Sequence, residues 1–227
     1  MNNEYSQATQ DYLKIIYKLN NRYGRAATSQ IAEELEITPA SVTGMLQKMA
    51  QAQPPLLEYR KHHGVTLTAA GERAALEIIR HHRLLELFLV KTLGYTWDEV
   101  HEEAERLEHV ISEEMEQRIA NFLGNPKTDP HGHPIPSSDL EMLSPGDSPL
   151  CDLRPPQRVV IRRVRDDDDD LLRYLERMGL KLNTELTILD YVPFDGNLHV
   201  QVGGREKAIV LGAQVSENIF VDLMPTE

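Results

Sequence analysis

Apolar residues recur with the period of an α-helix through the first half of the chain and alternate with polar residues in the last third. The apolar face of residues 4–22 consists of Tyr12, Ile15, Ile16 and Leu19. After residue 156, four short segments show the two-residue period of half-buried strands, with turns between them. These segments are Arg158–Val164, Leu186–Tyr191, Leu198–Val202 and Ala208–Leu211. The pattern predicts an α+β chain that ends in a small β-barrel, with one short helix at residues 170–178.

Two short helices joined by a turn are predicted after the first helix. Thr28 or Ser29 is the candidate N-cap of the first, and Thr38 caps the second, with Pro39 at its first helical position. The inner face of the second helix is apolar, whereas its outer face is small and polar. The candidate DNA contacts are Thr28, Thr38, Ala40, Ser41, Thr43, Gly44 and Lys48. This arrangement is typical of a helix-turn-helix, although such a pair also occurs as a hairpin that serves only a core.

A predicted β-hairpin follows the second helix. Leu56–Arg60 and Val65–Leu67 have the composition of strands, and residues 61–64 form a basic turn between them. A hairpin with a basic tip after a helix-turn-helix is typical of a wing. Arg60 and Lys61 are therefore candidate phosphate contacts beside a DNA groove.

A long helix is predicted from Thr68 to about Thr92. It carries more apolar surface than one packing contact needs, which indicates a subunit interface. His82 and Glu86 lie at positions i and i+4 of this helix, so they share one face.

The stretch from His101 to His109 reads H-E-E-A-E-R-L-E-H. On a helix, His101, Glu105, Glu108 and His109 fall at about 0°, 40°, 340° and 80° around the axis, on one face. Two imidazoles and two carboxylates on one face are able to hold a divalent cation. A solvated charged face is the alternative, but the His82 and Glu86 pair nearby favours metal.

Composition and charge limit the classes of protein that the chain can represent. The single cysteine excludes a disulfide framework within the chain, and no apolar run reaches the roughly 20 residues that span a bilayer. We therefore expect a cytoplasmic protein with no membrane partner. The formal net charge of −12 divides unevenly, because residues 1–75 have a net charge of +1 and residues 76–227 have −13. The N-terminal part can therefore still bind phosphate through a local basic patch.

The order of these motifs resembles the DtxR/MntR family of metal-dependent transcriptional repressors. The resemblance rests on the winged helix, on His82-x-x-x-Glu86, on the 101–109 motif, on Gly-His-Pro-Ile-Pro at 132–136 and on the barrel. It implies a winged helix-turn-helix DNA-binding domain at 1–74 and a helical metal-binding and dimerisation domain at 75–140. A linker at 141–156 and an SH3-like, FeoA-like domain at 157–227 complete the implied organisation.

The resemblance also implies two metal sites per subunit. The primary site falls on Asp11, Glu105, Glu108 and His109. The ancillary site falls on His82, Glu86, His101 and Asp168, with Asp169 or Asp170 as substitutes from the same acidic run. The iron-type branch has Met and Cys where this chain has Asp11 and Glu105, so the ligand set resembles the manganese branch. Lys14 stands where small manganese-type members have a Glu.

These features predict a homodimeric repressor that binds a palindromic DNA operator when loaded with Mn(II), with Fe(II) as the alternative ion. Metal homeostasis is the process that such a regulator would control, and no small organic substrate is expected. The competing hypothesis is a di-metal carboxylate enzyme, because carboxylate and histidine pairs on facing helices also occur there. Such enzymes usually repeat Glu-x-x-His on two helices, a repeat that this chain lacks. We therefore expect a regulator and not an enzyme.

Overall fold

The computed structural model describes residues 5–60, 63–205 and 207–225, so the predicted phosphate contact Lys61 lies outside the described residues. The chain forms two compact units. The first comprises Met1–Leu85, Glu105–Asn125 and Ile135–Met142, and the second comprises Glu86–Ala104, Pro126–Pro134 and Leu143–Glu227. Within the described ranges, no helix combines the length and the apolar character that crossing a membrane requires.

The N-terminal part of the first unit is the predicted helix-turn-helix. Its helices are α1 (Gln7–Tyr23), α2 (Thr28–Glu34) and α3 (Pro39–Ala50). Thr38 caps α3 by accepting a hydrogen bond from the Ser41 amide at 3.3 Å, and Pro39 is the first helical residue, as predicted. The predicted cap of α2 is wrong, because Thr28 is already its first helical residue. The Gln30 side chain instead accepts a hydrogen bond from the Ala27 amide, which satisfies one of the free donors at this end.

The predicted wing is an antiparallel hairpin of β1 (Leu57–Arg60) and β2 (Gly64–Leu67). Asn20 of α1 holds it in place, since its side chain donates to the Val65 carbonyl at 2.9 Å and accepts from the Leu67 amide at 3.1 Å. A common apolar core joins α1, α2, α3 and the hairpin, formed among others by Leu13, Ile16, Ile31, Val42, Leu46 and Val65. The wing and α1 are therefore packed against the same core.

The middle of the chain contains α4 (Ala69–Phe88), a π-helical turn (Leu89–Leu93), α5 (Val100–Leu107) and α6 (Glu113–Phe122). The chain breaks between α5 and α6, and Ser112 caps α6 by accepting a hydrogen bond from the Met115 amide at 3.2 Å. The helix of the 101–109 motif, however, ends at Leu107, so Glu108 and His109 lie in the turn that follows. The expectation that all four motif residues share one helical face is therefore wrong.

The second unit contains a six-stranded antiparallel sheet in the order β3-β8-β4-β5-β6-β7. The strands are β3 (Ser148–Pro149), β4 (Gln157–Val164), β5 (Glu185–Val192), β6 (Asn197–Val202), β7 (Ile209–Leu211) and β8 (Ile219–Leu223). The predicted short helix is present as α7 (Asp169–Met178), and α8 (Ala213–Ser216) precedes the last strand. The range 141–156, predicted as a linker, includes β3, which pairs with β8.

Candidate metal centre

One cluster of metal-ligating side chains lies within the first unit. α1 supplies Asp11, and the turn after α5 supplies Glu108 and His109; one ligand atom from each lies within 4.8 Å of the others. His109 Nε2 is 3.0 Å from Asp11 Oδ1 and 3.4 Å from Glu108 Oε1. The helix end at Leu107 makes this possible, since it turns both residues of the motif toward α1.

Gln10 orients the imidazole of this cluster. Its Oε1 lies 2.8 Å from His109 Nδ1, so a proton on Nδ1 donates to the amide oxygen and leaves Nε2 to face the carboxylates. Histidine ligands of metals are commonly fixed in this way by an acceptor on their other ring nitrogen. The sequence did not identify Gln10, because an amide next to Asp11 has no recognisable ligand spacing.

Lys14 lies between two of the predicted primary ligands. Its Nζ is 2.6 Å from Glu105 Oε1 and 2.8 Å from Glu108 Oε1. Burial opposes the charge of Lys14, but Glu108 and Glu105 together raise the pKa of its ammonium above the ordinary value. Glu105 is grouped with Glu108 and His82 rather than with Asp11, so the four predicted ligands do not meet as one group.

The two carboxyl groups of the first cluster, those of Asp11 and Glu108, have pKa values shifted in opposite directions. Burial raises the pKa of Asp11 above its ordinary value, against the lowering effect of His109. Burial also acts to raise the pKa of Glu108, but the hydrogen bond from His82 and the charge of Lys14 lower it below the ordinary value. A buried carboxylate group with an imidazole lone pair facing it is a donor set that suits a hard or borderline divalent cation. The residues present therefore fit a metal ion.

A second cluster lies wholly within the second unit. Ligand atoms of Glu86, Asp129, His131 and Asp166 all lie within 4.8 Å of one another. His131 is fully buried, and its Nε2 donates to the Trp97 carbonyl at 2.7 Å, which turns Nδ1 toward Glu86 Oε2 at 3.7 Å. Within the described residues, that Nδ1 has no hydrogen-bond partner. Three carboxylates and an imidazole nitrogen that faces them also fit a divalent cation, which would displace the ring proton on binding.

Attraction between its histidines and carboxylates stabilises this second cluster without a metal. Burial acts to lower the pKa of His131, but the negative charge of the nearby Glu86 carboxylate outweighs it and raises the pKa to about 9. Burial acts in the opposite sense on Asp166, where the charge of nearby His133 contributes to lowering the pKa to about 2. His101 Nδ1 lies 3.2 Å from Glu86 Oε1, so the predicted pairing of these two residues is present.

The acidic run at 166–170 contributes a different residue from the predicted one. Asp168 is exposed and caps α7, where its Oδ1 accepts from the Leu171 amide at 3.0 Å. The two substitutes considered, Asp169 and Asp170, pair with Arg173 at 3.4 and 3.1 Å. Asp166 is the member of the run that joins the cluster, because a capping role commits the other carboxylate to the helix end.

His131, which the sequence did not identify as a ligand, belongs to the loop that ends in the 132–136 motif. The loop is shaped by Asp129, whose Oδ1 accepts from the His131 and His133 amides at 2.8 and 2.9 Å. Gly132 between them has φ +91°, and a Cβ there would overlap the carbonyl oxygen of Arg162. The glycine of the 132–136 motif was the signal in the sequence, since only this residue allows the loop to lie so close to β4.

The candidate DNA-binding face is accessible where the structure describes it. Exposed positions are Thr38, Ala40, Ser41, Gly44, Lys48 and Arg60, whereas Thr28 and Thr43 are partly buried. The Thr43 hydroxyl donates to the Pro39 carbonyl at 2.9 Å within α3. The outer face of α3 is thus small and polar, as a helix that enters the major groove requires.

Comparison with known proteins places these features in a family. The model described as "Iron dependent repressor, N-terminal DNA binding domain" matches residues 4–65, "Iron dependent repressor, metal binding and dimerisation domain" matches 68–137, and "FeoA domain" matches 148–223. The chain is 32% identical over 217 residues to the iron-dependent repressor IdeR of Mycobacterium leprae, which covers 90% of this chain and 92% of that protein.

Two further proteins are similar to this chain. The HTH-type transcriptional regulator MntR of Oceanobacillus iheyensis is 36% identical over 120 residues, or 53% of this chain and 80% of the relative. A solved structure described as a manganese-dependent transcriptional repressor in complex with manganese has a TM-score of 0.88 and 36% identity. It covers 95% of this chain and 100% of its own, so the similarity extends over nearly the whole molecule.

Proposed function

Since the chain belongs to the iron-dependent repressor, or DtxR/MntR, family and is a metal-dependent transcriptional repressor, we propose that Mn(II) is the ion that activates it. The observation that carries this proposal is the composition of the two clusters, which contain carboxylates and imidazoles and no sulfur. Oxygen ligands suit Mn(II), whereas thiolate and thioether ligands favour softer ions. The family consists of transcriptional repressors, so the di-metal enzyme considered from the sequence gains no support from it.

The contacts within the first unit indicate how an ion would control DNA binding. Asp11 lies on α1, which carries the wing through Asn20, whereas Glu108 and His109 belong to the turn after α5. Without a cation, Asp11 and Glu108 repel each other across this gap. A bound divalent ion would supply positive charge and ligand bonds there. The residues of both elements would then hold α1 at a fixed position, which shifts the population toward the DNA-binding state.

We propose that the second cluster is the ancillary site, formed by Glu86, Asp129, His131 and Asp166, with His101 beside it. This set replaces Asp168 of the sequence prediction by Asp166 and adds two loop residues. The role predicted for His82 as an ancillary ligand stays a prediction, and within the first unit this imidazole contacts Glu108. Primary roles for Asp11, Glu105, Glu108 and His109 are likewise part of the proposal.

The remaining features of the prediction belong to the same proposal. A repressor that acts as a homodimer has two α3 helices related by a two-fold axis, so it fits a palindromic operator with half-sites one helical turn apart. Its place of action is the cytoplasm, where the operator is. The predicted domain limits at residues 74, 140 and 156 are retained as working limits for truncation experiments.

The proposed ion is tested by measuring operator affinity against the free concentration of Mn(II), Fe(II), Co(II) and Zn(II), without oxygen. We expect Mn(II) to give full operator binding at a concentration that occurs in cells, with a plateau affinity at least equal to that of the other ions. If Fe(II) activates fully while saturating Mn(II) leaves the affinity unchanged, the chain is an iron-responsive member of the family instead.

Lys14→Met should destabilise the metal-free protein and make it respond more strongly to Mn(II). The ammonium neutralises Glu105 and Glu108, so its loss leaves two clustered carboxylates unpaired, at a cost on the order of 2 kcal/mol. Because the same carboxylates then attract a cation more strongly, Mn(II) should raise the melting temperature of the variant more than that of the wild type. The measurement is thermal unfolding with chelator and with Mn(II).

Lys18→Met is the matched control, since Lys18 lies one helical turn further along α1 and contacts exposed Glu34 at 3.4 Å. It should leave both the melting temperature with chelator and the increase caused by Mn(II) nearly unchanged, because exposed ion pairs contribute little to stability. Equal Mn(II)-induced shifts in both variants and the wild type would show that Lys14 does not oppose metal binding.

Asp166→Asn and Asp168→Ala should have different consequences. The first removes a carboxylate from the second cluster and should reduce the number of Mn(II) ions bound per chain by one at moderate Mn(II) concentration. The second removes the cap of α7, which should cost about 1 kcal/mol of stability and leave the number of ions unchanged. Equilibrium dialysis measures the number of bound ions, and urea unfolding measures the stability. If the Asp168 variant lost the ion and the Asp166 variant kept it, Asp168 would be the ligand, as the sequence predicted.

A further inference from the structure

His81 of α4 is a buried histidine that neither of the two clusters includes. Its side chain is 4% exposed, and its Nδ1 lies 3.1 Å from the backbone carbonyl oxygen of Glu108. That carbonyl can only accept, so Nδ1 donates, and in the neutral ring Nε2 then carries a lone pair. Within the described residues Nε2 has no hydrogen-bond partner. A buried nitrogen in this condition costs free energy unless something binds it.

Carboxylates surround this nitrogen within the first unit. Glu113 Oε1 is 3.8 Å and Glu116 Oε2 is 3.7 Å from His81 Nε2, beyond hydrogen-bonding distance. Glu77 lies one helical turn before His81 on α4, and the ligand atoms of Glu77, His81 and Glu113 are all within 4.8 Å of one another. A lone pair that faces carboxylate oxygens is unfavourable unless a positive charge lies between them.

Arg80, the residue before His81, is committed to other partners. Arg80 donates from Nε to Glu116 Oε1 at 2.9 Å and from an Nη atom to the Pro136 carbonyl at 2.6 Å. This pairing neutralises Glu116 and occupies the guanidinium. Glu77 and Glu113 also line an open cavity of about 470 Å³, through which water and ions reach them.

We propose that Glu77, His81 and Glu113 form a third divalent-cation site, distinct from the two clusters described above. Two carboxylates and one imidazole form a ligand set for Mn(II), Fe(II) or Zn(II), and water from the cavity completes the coordination. The Glu108 carbonyl has the role of the outer acceptor that fixes the tautomer and the orientation of the histidine ligand. An ion there also stabilises the turn that contains Glu108, because the imidazole of His81 donates a hydrogen bond to the Glu108 backbone carbonyl.

The test counts Mn(II) ions bound to full-length protein by equilibrium dialysis, first freed of metal with chelator. The double variant Glu77→Gln with Glu113→Gln is expected to bind one ion fewer per chain than the wild type at saturating Mn(II). Both side chains lie at the edge of the cavity and Glu113 is half exposed, so the fold tolerates the change. Glu114→Gln is the matched control, since it removes an exposed charge of the same helical turn and should bind as many ions as the wild type.

Equal numbers of bound ions in the double variant and the wild type would overturn the proposal. So would an equal loss in the Glu114→Gln control, which would show that only the general negative charge matters. A difference of one ion is independent of how many ions the other two clusters hold. Anomalous scattering from crystals soaked with Mn(II) provides a direct check: we expect a peak beside His81 Nε2, and it should vanish in the double variant.

Discussion

His109→Ala is expected to abolish the response of operator binding to metal. His109 is 7% exposed, and its imidazole contacts both Asp11 of α1 and Glu108 of the turn. It is the one imidazole of the Asp11, Glu108 and His109 cluster, and without it two carboxylates face each other across the gap between α1 and the turn. An ion held by fewer ligands is lost at metal concentrations that saturate the wild type.

The magnitude follows from the coupling between two sites. Coupling free energies of allosteric proteins are typically 1–3 kcal/mol, so metal should increase operator affinity by about 5- to 150-fold in the wild type. In the His109→Ala variant this ratio should fall to about 1. The measurement is operator affinity by fluorescence anisotropy with saturating Mn(II) and with chelator.

His63→Ala is the control for a histidine outside the clusters, at the exposed tip of the wing. It should retain the full ratio of affinities with and without Mn(II), whatever its effect on the affinity itself. A His109→Ala variant that still binds the operator more tightly with Mn(II), by the same factor as the wild type, would show that the first cluster is not the controlling site.

The double variant Asp11→Met with Glu105→Cys is expected to change which ion activates the repressor. Affinity of most sites rises from Mn(II) through Fe(II) to later ions, so a site selects Mn(II) by ligand type and number rather than by strength. Asp11 and Glu105 provide oxygen atoms, and each carboxylate is able to coordinate through one atom or two. A thioether and a thiolate in their places offer one soft donor each.

Activation should therefore move from Mn(II) toward Fe(II) and Co(II), and Glu105→Cys alone should cause most of the shift. A thiolate changes the donor set more than a neutral thioether, and Glu105 is the residue that Lys14 contacts at 2.6 Å. Operator affinity is measured against free metal without oxygen for the wild type, the single variant and the double variant. An unchanged midpoint for Mn(II) in the double variant would remove both residues from the proposed ligand set.

The elements whose signals are local were predictable from the sequence. Thr38 and Pro39 specify the start of α3 through a side-chain cap and a fixed φ, and the structure has both. The alternation of apolar residues after position 156 predicted the strands of the second unit, because a half-buried sheet requires it. These signals lie within a few residues of the feature that they specify, so no tertiary contact is needed to recognise them.

The details of the metal clusters depend on contacts between distant residues, and the sequence predicted them only in part. Helical spacing placed Glu108 and His109 on the face of a helix that ends before them. Lys14 has no spacing relationship to Glu105, 91 positions away, and their ion pair appears only in the folded chain. The sequence did not identify His131 as a ligand, because its partners come from α4, from the loop itself and from the segment after β4.

The acidic run at 166–170 shows why the residue type alone does not decide which aspartate is the ligand. Five consecutive aspartates offer equivalent ligands by composition, but the start of α7 assigns them different partners. Asp168 accepts from the Leu171 amide, and Asp166 lies two residues earlier, within reach of His133 at 3.3 Å. The position of a helix end, which a sequence locates only to within a few residues, decides which carboxylate joins the cluster.

The most direct test of the account is operator binding by one preparation of the full-length protein, taken from metal-free to Mn(II)-loaded and back with chelator. We predict weak binding without metal, an increase of operator affinity by about 5- to 150-fold with Mn(II), and a return to the starting affinity when chelator removes the ion. Equal operator affinity in all three states, for protein shown by elemental analysis to lose and regain its metal, would contradict the claim that a bound ion holds α1 in the DNA-binding position.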